Sequence, residues 1–140
     1  MNRTLGFDLG SKTLGVSVSD PLGMIARALT TLRFDSDDYD SALAQAQALI
    51  REQHADKVVL GLPRHMNGDI GVRGEISIAF KEKLESSGVE VVLWDERLTT
   101  VAANRILLQG DVSRKKRKKV IDQMAAVQIL QSYLDYSNRG

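Results

Sequence analysis

Three carboxylates stand in surroundings that should bury or half-bury them: Asp8, Glu96 and Asp122. Asp8 falls in "LGFDLG", where Leu5, Phe7 and Leu9 alternate with Gly6, Asp8 and Gly10, the period of a strand with one large face and one small face. Glu96 follows the apolar run of "VVLWDERLTT", which reads as a strand buried on both faces. Asp122 shares a helical face with Ala125, Ala126, Ile129, Leu130 and Tyr133. An ionised carboxylate is costly to bury unless a cation or hydrogen bonds compensate it. Convergence of two or three favours a hard divalent cation, Mg²⁺ or Mn²⁺, because the sequence offers no soft ligands. Such a cluster is the machinery of phosphodiester hydrolysis. Gly6 and Gly10 would leave room beside Asp8 for ions or for a neighbouring backbone. Each carboxylate also has a plainer use: Asp8 capping a turn, Glu96 paired with Arg97, Asp122 paired with Lys118 or Lys119.

A second feature supports a polyanionic substrate. The net charge is only +1, yet residues 113 to 119, "SRKKRKK", hold six of the 19 basic residues on a chain with 18 acidic ones. One basic run on an otherwise acidic body suggests a single edge that faces polyanion, although a solvated loop accounts for it equally. The candidate substrate-binding cations are therefore Arg114, Lys115, Lys116, Arg117 and Lys118, together with Lys12, Arg73 and Arg97. Arg97 is as well suited to orienting Glu96 or Asp95 as to contacting phosphate. Asp95 should point away from Glu96 if strand alternation persists. His54 and His65 are too isolated to be ligands, and Trp94 is expected in the core.

The elements that must position these groups can be read in order. The alternation over 4–9 continues through "LGVSVSD", the turn "DPLG" at 20–23, and a third strand over about 25–32, giving an antiparallel meander. A helix over 40–53 carries Leu43, Ala46, Leu49 and Ile50, and "KVVLGLP" is a short buried strand stopped by Pro63. A glycine-rich loop leads to a helix with Ile76, Ala79, Phe80 and Leu84 on one stripe, closed by Gly88. Then follow the strand 90–94, a helix over 99–109, the basic segment and a last helix over 118–136. Strands alternating with helices after a meander predict an α/β fold, a mixed sheet covered by helices.

The 140 residues fit one domain, 1–140, with 43% hydrophobic and 26% charged residues. Cysteine is absent, which removes disulfides, thiolate zinc sites and cysteine nucleophiles together. The N-terminus shows no signal-like segment and no stretch matches a membrane span, so a cytoplasmic protein without membrane partners is expected.

"LGFDLGSKTLGVSVSD", "VVLGLPRHMNG", "VVLWDERLTT" and "KKVIDQMAAVQILQSYL" resemble, in order and spacing, the four signature blocks of the RuvX (YqgF) family. The resemblance runs from about Leu5 to Leu134 and implies an RNase H-like fold with a five-stranded mixed sheet and the first strand central. It also implies an active site of Asp8, Glu96 and Asp122 and a Mg²⁺- or Mn²⁺-dependent nuclease. The substrate it implies is the 5′ end of the pre-16S rRNA, with a Holliday junction resolvase acting on branched DNA as the alternative. Resolvases more broadly carry an acidic residue after the fourth strand, whereas this chain has Gly61, Leu62 and Pro63 there. Glu96 is then expected to supply that carboxylate from the next strand.

Two rival readings stay open. The first block also resembles the phosphate loop of actin-like and sugar-kinase-like phosphatases, but those close two lobes over a nucleotide and 140 residues supply one. A non-catalytic nucleic-acid-binding scaffold would rely on the basic run alone. Either a monomer or a homodimer is compatible with the sequence, the dimer being favoured if two strands are cut symmetrically.

Overall fold

The computed structural model describes the backbone of residues 3–99 and 114–138 and, within the last helix, side chains from residue 124 onward. Five strands form one sheet in the order β3-β2-β1-β4-β5, so the first strand is central. The strands are β1 (Arg3–Leu9), β2 (Thr13–Ser19), β3 (Ala26–Arg33), β4 (Ala55–Leu62) and β5 (Glu90–Asp95). β1, β2 and β3 pair antiparallel, while β4 and β5 add in parallel beside β1. The described helices are α1 (Tyr39–Glu52), α2 (Val72–Glu85) and α3 (Arg114–Ser137), with a 3₁₀ turn at Glu96–Leu98. None of them is long and apolar enough to cross a membrane. The helix expected over 99–109 lies, beyond Thr99, outside the described residues.

The alternation in β1 decides which helices cover which face. Leu5, Phe7 and Leu9 join Leu14, Val16, Val18, Val58 and Leu60 in one cluster with Ala42 and Ala46 of α1 and Phe80 and Leu84 of α2. The opposite face carries Gly6, paired with Ser17, and Asp8, paired with Gly15. α3 lies on this face: Val59 clusters there with Ile129, Leu130 and Leu134. The approach is close. A Cβ at Gly6 would collide with the Ser17 hydroxyl, Leu130 Cβ at 2.7 Å and the Ala126 carbonyl oxygen at 2.9 Å. The space beside Gly6 is therefore taken by a helix backbone and not by an ion. Ser17, fully buried, satisfies its hydroxyl by donating to the Ala126 carbonyl at 2.7 Å, which offsets the desolvation of both groups.

Three expectations shift. The buried stripe of α2 is Gly74, Ser77, Phe80 and Leu84, with Ala79 exposed. Its N-terminal half packs so tightly that a Cβ at Gly74 would sit 2.9 Å from the Pro63 carbonyl oxygen, and hydrophobicity alone does not reveal a face made of small residues. β5 is an edge strand, with Val91 buried but Val92, Leu93 and Trp94 only half-buried. The basic run is not a separate segment: residues 114–119 form the first turns of α3. Their charge opposes the helix dipole, but lysine and arginine have high intrinsic helix propensity.

The turn at Asp20–Gly23 forms as expected, with the Gly23 amide donating to the Asp20 carbonyl at 3.0 Å. Asp20 Oδ1 also accepts from the amides of Met24 and Ile25 at 2.7 and 2.9 Å. The Ile25 and then the Met24 hydrogen bond hold this carboxyl below its usual range.

Candidate active site

Asp8, one residue before the end of β1, and Glu96, the first residue of the 3₁₀ turn past β5, line the same cleft at the carboxyl ends of the parallel strands. Both are half-buried. The cleft is also lined by Gly10, Thr13, Pro63 and Arg73. Two residues 88 positions apart in sequence thus share one concavity, a juxtaposition that the residue pattern alone does not give.

Glu96 approaches Asp8 from two strands away. β5 pairs with β4 and β4 with β1, and the residue of β4 that lies between is Gly61, next after Leu60, the partner of Phe7. A Cβ at Gly61 would stand 3.2 Å from Glu96 Cγ and 3.3 Å from Glu96 Cδ. The side chain of Glu96 therefore folds over β4 at the strand position whose own side chain is missing.

The turn that carries Glu96 is fastened on several sides. The Glu96 carbonyl accepts from the amide and hydroxyl of Thr99 at 3.1 and 2.9 Å. Ser132 of α3 accepts from Trp94 Nε1 at 3.1 Å and donates to the Leu98 carbonyl at 3.4 Å. Asp95 accepts from the Arg97 amide at 2.9 Å and grips its guanidinium, with Nε at 3.0 and 3.1 Å and Nη2 at 2.7 Å. Arg64 adds a longer contact to the same carboxylate at 3.5 Å. The hydrogen bonds from Arg97, then its charge and a hydrogen bond from Arg64, hold the Asp95 carboxyl below its usual range despite partial burial, which acts the other way.

Arg97 itself continues to the Met66 carbonyl at 3.5 Å and lies over Gly68, whose φ of 94° only glycine adopts readily. Arg97 is not among the residues lining the Asp8–Glu96 cleft; it ties the loop 63–71 to the end of β5. Asp95 likewise belongs to this clamp and not to the cleft.

Arg73 is the cationic wall of the cleft. It projects from the first turn of α2, donating through Nη2 to the Leu9 carbonyl at 3.0 Å and through Nη1 to the Tyr39 hydroxyl oxygen at 2.9 Å. Tyr39 donates in turn to Asp37 at 3.0 Å, and the Asp37 amide donates to the Ser11 carbonyl at 2.7 Å. Tyr39 and Asp37 carry no sequence signal for this role, because their link to Arg73 exists only across α1, α2 and the β1–β2 loop. Lys12 is exposed in that loop, one residue from Ser11 of the cleft lining.

Asp122, Arg114, Lys115, Lys116, Arg117 and Lys118 fall in α3, where the backbone is described and their side chains are not. The direction of α3 is informative. Lys57 near the start of β4 reaches Tyr133 at 3.1 Å, whereas Gly61 four residues later lies against Ile129, so the helix runs antiparallel to β4 and β1. Its earlier turns, residue 122 included, lie toward the strand ends where Asp8 stands. Among the described residues no three His, Cys, Asp or Glu side chains cluster in a metal-binding arrangement. The donors present nonetheless fit a hard divalent cation: two carboxylates share a cleft, cysteine is absent, and His54 and His65 are exposed outside its lining.

Trp94 sits at the rim of the smaller core and not inside it. It is half-buried and packs against Tyr133 and Tyr136, with ring centroids 5.7 and 5.6 Å away. Leu98 and Tyr136 beside it remain exposed.

Comparison with known proteins agrees with this architecture. The family model of RuvX, described as Holliday junction resolvase, matches residues 2–136. A protein of Bacillus subtilis (strain 168) named "Putative pre-16S rRNA nuclease" is 53% identical over 97% of this chain and 99% of its own length. A Geobacillus kaustophilus protein of the same name is 56% identical over 95% and 97%. Among solved structures, Thermus thermophilus RuvC in complex with Holliday junction substrate superposes with a TM-score of 0.66 at 15% identity, covering 100% of this chain and 97% of that one. The fowlpox virus Holliday junction resolvase gives 0.58 at 17% identity over 96% and 99%. At these identities the structural likeness establishes the fold, the RNase H-like sheet of resolvases.

Proposed function

Because this chain belongs to the RuvX family of Holliday junction resolvases, we propose that it is a nuclease whose catalytic carboxylates are Asp8, Glu96 and Asp122. The observation that carries this reading is that Asp8 on β1 and Glu96 just past the end of β5 line one cleft together with Arg73. The substrate is the 5′ region of the pre-16S rRNA, in keeping with the name borne by relatives more than 50% identical over nearly the whole chain. The cofactor read from this donor set is Mg²⁺ or Mn²⁺, which Asp8 and Glu96 would hold through their carboxylate oxygens, with Asp122 as the third residue proposed to hold it. When bound, such an ion supplies charge stabilisation for the attacking and leaving oxygens of the phosphodiester.

The chain's own groups divide the remaining work. Strand register fixes Asp8 on the central strand, and the fastened 3₁₀ turn past β5 fixes Glu96, so both carboxylates are held on a rigid frame. Arg73, held by the Leu9 carbonyl and Tyr39, presents positive charge to the substrate phosphate from the opposite wall. Lys12 and the basic turns of α3 extend the phosphate-binding surface outward. The Asp95–Arg97 pair supports the Glu96 turn and the adjoining loop. This work is assigned to the cytoplasm, where ribosomal RNA precursors are found.

The description of the matching family, Holliday junction resolvase, makes a four-way junction the second substrate to test. Purified protein with Mg²⁺ or Mn²⁺ is assayed on an rRNA precursor and on a four-way junction, beside Asp8→Asn. The proposed function requires metal-dependent cleavage by the wild type and its loss in Asp8→Asn with nucleic-acid binding retained. Binding without any cleavage by the wild type would make the chain a scaffold.

A further inference from the structure

We propose that Gly61 is a positioning residue: its missing side chain is the route by which Glu96 reaches Asp8. This rests on the catalytic reading of Glu96 above. Neighbouring strands lie about 4.8 Å apart, so a group arising at β5 must cross roughly 10 Å, over β4, to meet one on β1. Asp8 is flanked by glycine on both sides, with Gly15 its registered partner on β2 and Gly61 following Leu60 on β4. At Gly61 the virtual Cβ meets Glu96 Cγ at 3.2 Å and Cδ at 3.3 Å, so the space of the absent side chain is the space the Glu96 carboxylate group crosses.

The same Cβ would also meet Ile129 Cδ1 at 2.6 Å. Gly61 therefore has two neighbours, one that concerns helix packing and one that concerns the active site, and the two can be separated. Valine at 129 lacks the δ-methyl and removes the packing conflict, while leaving the conflict with Glu96 in place. No positive φ is recorded at Gly61, so alanine there meets no backbone strain of the left-handed kind.

The experiment compares Ile129→Val with the double variant Gly61→Ala/Ile129→Val in the full chain. The expected result is a thermal midpoint shared by the two proteins, with Mn²⁺ affinity and cleavage at least about tenfold lower in the double variant, the scale on which supporting residues act at metal sites. A crystal structure of the double variant is expected to show the Glu96 carboxylate moved off β4. A Glu96 position unchanged from that in Ile129→Val would overturn the proposal, whatever the activity. If the wild type cleaves neither substrate, the nuclease reading fails by itself, while the displacement of Glu96 remains directly measurable.

Discussion

Nη1 of Arg73 donates to the hydroxyl oxygen of Tyr39 at 2.9 Å, joining two residues 34 positions apart at the first turns of α1 and α2. The bond fixes Arg73, the one arginine among the described residues that line the Asp8–Glu96 cleft. Tyr39→Phe keeps the ring that packs on Phe34 and removes the oxygen alone. One hydrogen bond contributes about 1 kcal/mol, so KM for the nucleic-acid substrate is expected to rise about fivefold with kcat little changed. Steady-state kinetics that show a fall in kcat instead would place Tyr39 closer to the chemistry.

Gly6→Ala tests the approach of α3 to β1. The added methyl would collide with the Ser17 hydroxyl and with the Ala126 carbonyl, so backbone and not merely a flexible side-chain tip must give. Overpacking of this kind costs about 1 to 3 kcal/mol, and the loss of the Ser17 to Ala126 hydrogen bond brings the expectation to the upper end. Urea denaturation gives the value; a loss below about 0.5 kcal/mol would mean that α3 shifts freely on the sheet.

Asp95 should stabilise the fold only above the ordinary carboxylate range. Its folded-state pKa is lowered from 3.8, chiefly by the Arg97 side chain, so its contribution is present above that value and is lost as pH falls through the lower folded value. Asp95→Asn is accordingly expected to be less stable than the wild type at pH 7, with the gap closing in acid. Unfolding curves at both extremes decide this, and a gap that widens in acid contradicts the assignment.

Replacing Arg114, Lys115, Lys116, Arg117 and Lys118 with glutamine is expected to weaken nucleic-acid binding across sequences. If all five contact phosphate, the slope of log K against log salt should flatten by roughly 3.5 on a single strand and roughly 4.5 on a duplex. A slope equal to that of the wild type would exclude these turns of α3 as the phosphate contact. Circular dichroism serves as the control for helix content, since glutamine retains good helix propensity.

The strand alternation around Asp8, the apolar run before Glu96 and the order of elements were legible in the sequence, because a period of two and a short buried run are local properties of the chain. They determined the mixed sheet, Asp8 within the first strand and Glu96 just past the last one; the central place of the first strand came only from the resemblance to the RuvX family. The tertiary structure decided what lies between those carboxylates. Gly61 looks in sequence like an ordinary strand glycine and Tyr39 like a residue of the loop before the helix over 40–53; each acquires its role only from groups that register and helix packing bring beside it. The stripe of α2 was legible in part: Phe80 and Leu84 are buried and Ile76 packs against the core as expected, whereas Ala79 is exposed and Gly74 and Ser77 are buried without a hydrophobic signal. Sequence carries the periodicity that turns each element toward its core, while contacts across strands and helices depend on distances that no local pattern encodes.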